Sequence, residues 1–134
     1  MKVYVTTRFK GSKENKDSIE KLCLAVRRAG MQDFHFIRDV EHFEHTFDDP
    51  KELWDVARQK IYECDALLVD ISDNPSGGRL VEVGVAFALK KPIFVIVNKG
   101  VEYKDFYEGI ADLIIEYDEI QDITEPLRNI LERN

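Results

Sequence analysis

Long apolar runs are missing from this 134-residue chain, and no stretch approaches the roughly eighteen residues that a membrane-spanning helix requires. Met1-Lys2-Val3-Tyr4 leads straight into a strand pattern without the apolar segment of a secretory signal, so a cytoplasmic protein with no membrane partner is expected. Cysteine is scarce. Cys23 and Cys64 sit in apolar settings with no CxxC spacing, which excludes a disulfide framework and leaves two reduced packing residues. Histidine is scarce too: His42 and His45 share helical i, i+3 spacing, but His35 is the only other one and no acidic ligand set accompanies them, so no metal site is expected. An excess of basic charge is also absent. Lysine and arginine total 19 against 26 acids, a formal charge of −7. The cations are dispersed rather than gathered on one stripe, which argues against a nucleic-acid polymer as partner. A mononucleotide stays open, because one phosphate needs only a few local donors.

The residues present are those of a globular protein, 44% apolar and 34% charged, long enough for one domain over residues 1–134. Apolar period-two segments alternate with segments of helical period. "KVYVTT" reads as a strand; Ile19, Leu22, Cys23 and Val26 recur as a helix face that Gly30 closes. "DFHFIRDV" predicts a second strand over residues 33–40, and Asp49-Pro50 opens a helix. "ALLVDIS" has the continuous apolar character of a strand covered on both faces. "SGGRLVEVGVAFAL" supplies a helix, "PIFVIV" and "ADLIIEY" two strands, and "ITEPLRNILE" a closing helix. The alternation predicts an α/β fold: a doubly wound, mostly parallel five-stranded sheet with helices on both faces, in flavodoxin-like order.

In such sheets ligands bind beyond the carboxyl ends of the strands, where strand order reverses. Here that point lies between the first and third strands. It receives Thr6, Thr7, Arg8, Phe9 and Ser12 after the first, and Asp70, Ser72, Ser76, Gly77, Gly78 and Arg79 after the third. Glu82 follows among Leu80, Val81, Val83 and Val85. An ionised carboxylate among aliphatic side chains costs several kcal/mol unless donors or positive potential offset it. Gly77 and Gly78 leave free amides at a helix start, which would hold Glu82 anionic. Asp70 ends a buried strand with a second acid expected nearby, a setting that suits it to carry a proton. A nucleophile or cation stabiliser beside a proton carrier suits glycosidic bond cleavage through an oxocarbenium-like transition state. Structural roles for the same groups are a cap for Glu82, a turn for Asp70, a core position for Tyr4 and a solvated loop for Arg8 to Lys13. Phe43, Phe47 and Trp54 read as packing residues of a long connection, or as a lid whose aromatics stack on a base.

"CDALLVDISDNPSGGRLVEVGVAFALKKPIFVI" resembles the nucleoside 2-deoxyribosyltransferase family, through Asp70, Gly78, Glu82, Gly84, Ala86, Lys91 and Pro92. Tyr4 in "KVYVTT" and the tail "YEGIADLIIEYDEI" are also similar to the family pattern. The resemblance implies that Glu82 takes the deoxyribosyl group at its anomeric carbon, that Tyr4 orients it, and that Asp70 contacts or protonates the leaving base. It implies transfer to another base, or to water as in the related 2′-deoxynucleoside 5′-phosphate N-hydrolases, without metal or organic cofactor. The implied partner is a small-molecule nucleoside or nucleotide. Relatives complete their sites from a neighbouring subunit, so a homodimer or higher oligomer is implied, with "NKGVEYKDFYEGIAD" as donor stretch. Many relatives carry Asp-x-Gly-Thr where this chain has Ser76-Gly77-Gly78-Arg79, and Arg79 is placed to face a phosphate. The nucleotide hydrolases carry a Gly-Ser-x-x-Arg-like first loop, where this chain has "TTRFKGS". The same core also resembles TIR-like domains that cleave NAD, and the fold equally serves non-catalytic nucleotide-sensing or interaction modules.

Overall fold

The computed structural model describes residues 1–133. Five strands form one sheet: β1 (Lys2–Thr6), β2 (Gln32–His35), β3 (Ala66–Asp70), β4 (Ile93–Asn98) and β5 (Leu113–Tyr117). Their order is β2-β1-β3-β4-β5, and every neighbouring pair is parallel. Strand order therefore reverses between β1 and β3, the flavodoxin-like order expected. The helices are α1 (Lys13–Arg28), the single turn α2 (Phe36–Asp39), α3 (Pro50–Glu63), α4 (Gly78–Ala88), the short α5 (Phe106–Ile110) and α6 (Thr124–Arg133), preceded by a 3-10 turn at Ile120–Ile123.

Side-chain alternation along the strands splits the core into two layers. Val3 and Val5 of β1, Ala66 and Leu68 of β3, and Phe94 and Ile96 of β4 face α1 and α6, where Ile19, Leu22, Val26 and Leu127 meet them. Tyr4, Leu67, Val69, Ile93 and Val95 face the other way, onto Ala57 and Ile61 of α3 and Val83 and Ala86 of α4. Each fully buried aliphatic side chain contributes about 1.5–3 kcal/mol, and both faces of the central strands collect that gain. This is why β3 reads as an unbroken apolar run.

Local chemistry sets the ends of the elements that frame the site. Ser12 caps α1 by accepting the Asn15 amide at 3.1 Å, and Asp49 caps α3 by accepting the Lys51 amide at 3.0 Å with Pro50 in the first turn. The strand expected over residues 33–40 stops at His35. The Asp39 carboxylate accepts the His35 amide at 2.9 Å, and Arg38 spans Asp33 and Asp39 at 2.8 Å each, so the chain winds into α2 instead of continuing the ladder. The alternating apolar pattern of Phe34, Phe36 and Ile37 could not reveal that turn, because side-chain ion pairing decides it. The two cysteines are free and buried, and burial raises their thiol pKa values to about 12 for Cys23 and about 11 for Cys64. Among the described residues, no helix is long and apolar enough to cross a membrane.

Candidate active site

A cavity of about 410 Å³ opens at the carboxyl ends of β1, β2 and β3, on the face covered by α3 and α4. Thr6, Thr7 and Arg8 enter it from β1 and the loop after it, and His35 and Phe36 from the β2–α2 junction. Trp54 comes from α3, and Asp73, Ser76, Gly78, Arg79 and Glu82 from the β3–α4 loop and α4. Gly77 precedes α4 with φ of 63°, a left-handed conformation that favours glycine, and lets the chain leave β3 and enter the helix sharply. Trp54 packs within 3.6 Å of where a side chain on Gly78 would begin.

Glu82 lies one turn inside α4, with its side chain directed at the strand tips. One carboxylate oxygen accepts the Tyr4 hydroxyl and the other accepts Thr6 Oγ1 at 2.8 Å. Both donors come from β1, two positions apart, so they point to the same side of the sheet. Burial is the main influence on Glu82 and raises its pKa above the usual carboxylate value; the Tyr4 and Thr6 hydrogen bonds and the Arg79 charge pull the other way. The sequence reading assigned the holding of Glu82 to free amides at the helix start. Its donors are instead two side-chain hydroxyls on β1. Tyr4 is fully buried, and burial together with Glu82 keeps its hydroxyl protonated and available as a donor.

Asp70 does not share that cavity. It borders a second one of about 340 Å³ on the α1 side, with Ser72, Tyr117, Lys10 and Lys21. Its carboxylate accepts Tyr117 Oη at 2.7 Å, Ser72 Oγ at 2.7 Å and the Ser72 amide at 2.9 Å. Ser72 Oγ in turn accepts the Asn98 amide at 2.9 Å, so the network ties the tips of β3, β4 and β5. The expectation that two acids converge on one crevice is thus corrected: successive residues at the end of a strand point to opposite faces, and Asp70 points to the α1 side. Thr7, Arg8, Asp73 and Arg79 line both cavities and form the partition.

The other expected binding residues divide between these places. Ser76 and Gly78 line the Glu82 cavity, and Gly77 lines neither. Ser12 is spent as the α1 cap, and Phe9 packs on Phe43 with ring centroids 5.5 Å apart, outside both cavities. Arg79 donates two hydrogen bonds to Asp73 at 2.6 Å and one to the Asp70 carbonyl at 3.0 Å. Of the aromatics in the long connection, Phe47 stacks on Phe36 at 6.1 Å, while Trp54 enters the cavity wall.

His35 is the site residue the sequence reading passed over. It is 2% exposed, its Nε2 lies 3.0 Å from Thr7 Oγ1, and its Nδ1 has no partner among the described residues. Burial, aided by the Arg38 charge, lowers its pKa to about 4, so the ring is neutral at physiological pH. The signal that points to it is its place at the carboxyl end of β2, beside the switch point.

A profile of one family, nucleoside 2-deoxyribosyltransferase, matches residues 3–123. The chain belongs to that family. Solved structures agree in fold. The CMP N-glycosidase BcmB of Clostridium botulinum superposes with a TM-score of 0.72 at 20% identity, covering 97% of this chain and 99% of that one. A 2-deoxyribosyltransferase from Bacillus psychrosaccharolyticus gives 0.73 at 19% identity, with coverage of 92% and 90%. BlsM gives 0.71 at 19% identity, with coverage of 98% and 92%. No curated protein sequence matches. Members of this family act on nucleosides, and the cavity at the β1/β3 switch point is where the fold places a ligand.

Proposed function

We propose that this family member cleaves the N-glycosidic bond of a 2′-deoxynucleoside or its 5′-phosphate, with Glu82 as nucleophile and a second base or water as acceptor. The observation that carries the reading is the Glu82 carboxylate, held by the Tyr4 and Thr6 hydroxyls at the wall of a 410 Å³ cavity. In the first step a Glu82 oxygen bonds to the anomeric carbon while the C–N bond breaks, its electron pair leaving with the base, which takes up a proton. In the second step the acceptor attacks the anomeric carbon, loses a proton and frees the carboxylate. The two hydroxyls fix the orientation of the carboxylate and stay with it throughout. Trp54 offers an aromatic face within the cavity for the base.

Asp70 enters this reading as a residue that fixes the strand tips and borders the adjoining cavity, rather than as a partner touching Glu82. The assembly proposed is a homo-oligomer. Val81 and Phe87 of α4 are 49% and 55% exposed, and Tyr62 of α3 is 61% exposed, an apolar surface on the α3–α4 side of the sheet that a second copy would cover.

The test is incubation of the pure protein with deoxynucleosides, deoxynucleoside 5′-phosphates and NAD, followed by chromatography for free base. Release of base from either deoxy substrate, with or without an acceptor base, supports the reading. Release of nicotinamide alone, or of nothing from any substrate, overturns it.

A further inference from the structure

The partition between the two cavities holds a carboxylate that this chemistry does not use. Asp73 stands on the β3–α4 loop and takes both guanidiniums of the rim. Arg79 Nη1 and Nη2 lie 2.6 Å from its two oxygens, and Arg8 Nη1 lies 3.9 Å from Oδ2. The Arg79 side chain is only 11% exposed, so its fork is fixed in that direction. The Glu82 cavity is lined by two cations, Arg8 and Arg79, and three carboxyl groups, Glu41, Asp73 and Glu82. Both cations are therefore turned toward one internal acid. Hydrogen bonding to Arg79 holds the Asp73 carboxyl below the usual range, so the acid is ionised at physiological pH.

A carboxylate and a phosphate present the same bidentate edge to a guanidinium. A tethered carboxylate competes at high effective concentration, and an incoming phosphate dianion must displace it while facing its charge. We propose that Asp73 is a specificity-determining residue: it competes with a 5′-phosphate for Arg79 and Arg8 and weights the site toward the unphosphorylated nucleoside. The proposal rests on the reading that the Glu82 cavity receives the sugar of a nucleoside or nucleotide. Asp73→Asn keeps the side-chain shape and one accepting oxygen but removes the competing charge.

Two readouts test it, and the first needs no turnover. Inorganic phosphate is titrated at constant ionic strength into wild type, Asp73→Asn, Asp73→Ser and the double variant Asp73→Asn/Arg79→Gln, followed by amide chemical shifts, which also report that each variant is folded. The single variants should bind phosphate about tenfold more tightly, the order expected for one charge-assisted pair, and the double variant should lose that gain. The second readout is the ratio of kcat/KM for a deoxynucleoside 5′-phosphate to that for the nucleoside, which should rise by about the same factor in Asp73→Asn. Unchanged or weaker phosphate binding in both single variants overturns the proposal, as does a ratio that stays level or falls. Tighter phosphate binding in a protein that releases no base upholds the competition and overturns the catalytic reading instead.

Discussion

The Tyr4 hydroxyl donates to one oxygen of Glu82 while Thr6, two residues further along β1, donates to the other. An interior strand of the sheet thereby grips an acid delivered by a helix that begins eight residues after the neighbouring strand ends. The grip is made across 78 and 76 residues of sequence.

Glu82→Gln should lower the rate of base release by about 10³-fold or more, since it removes the nucleophile outright. Its effect on stability should have the opposite sign. The folded-state pKa of Glu82 is raised, so the folded protein carries a cost for the ionised acid at every pH above that value, and the cost vanishes as pH falls and the acid takes up a proton. At pH 7 the variant should melt at a temperature equal to or above that of wild type, and the difference should shrink in acid. Thermal melts at pH 7 and pH 4.5 check both parts.

Tyr4→Phe should move the acid limb of the pH–rate profile upward. Activity needs the ionised carboxylate, whose pKa already stands above the ordinary value because of burial, and the Tyr4 hydrogen bond is one of the effects that pull it down. Loss of that bond raises the pKa further and loosens the carboxylate, for a decrease in kcat/KM on the order of 10-fold to 100-fold. A profile of unchanged shape in Tyr4→Phe would separate the hydroxyl from the titration of Glu82.

Asp70→Asn should act on stability more than on the rate constant. The carboxylate accepts three hydrogen bonds from Tyr117 and Ser72, and an amide offers that set only one accepting oxygen and no charge, at a cost of about 1–3 kcal/mol. Denaturant unfolding should show the loss, and Tyr117→Phe should reproduce part of it. A large fall in kcat at unchanged stability would instead return Asp70 to the chemistry.

The protein should lose stability as pH falls from about 6.5 to about 4, the window between the ordinary pKa of histidine and that of His35 in the fold. The unfolded chain takes up a proton in that interval and the buried ring does not. The shift is worth on the order of 3 kcal/mol once pH 4 is reached. His35→Gln should flatten that slope, as read from denaturant midpoints across the range.

Phe87→Glu should convert an oligomer to monomer. The side chain is more than half exposed on the apolar outer face of α4, and a charge there opposes burial against a second copy. Sedimentation of wild type and variant measures the change.

The fold was open to reading because period and punctuation agree at most positions. Asp49-Pro50 opens α3, Gly30 with φ of 92° follows α1, and β3 and β4 are apolar up to their last residues, Asp70 and Asn98, because helices cover both their faces. The β2–α2 junction was not legible, since the apolar spacing of Phe34 and Phe36 fits a strand and only the Asp33, Arg38 and Asp39 ion pairs turn the chain. The site divides in the same way. Glu82 announces itself as a carboxylate in an aliphatic run, whereas Tyr4 reads as a core position and stands out only through the resemblance of "KVYVTT" to the family pattern. His35 carries no such mark, and Phe9 and Ser12, which look like loop donors, are spent on packing and capping.

Composition and hydropathy period alone determined the parallel five-stranded sheet and the short list of acids at the ends of its strands, because burial of alternating faces dictates those features whatever the distant partners are. Tertiary structure decided which groups meet: Glu82 with Tyr4 and Thr6, Asp70 with Tyr117, and Asp73 with Arg79. Those pairings depend on which way side chains turn at the strand tips, where residues one position apart serve opposite faces of the sheet and a single step in register exchanges one cavity for the other.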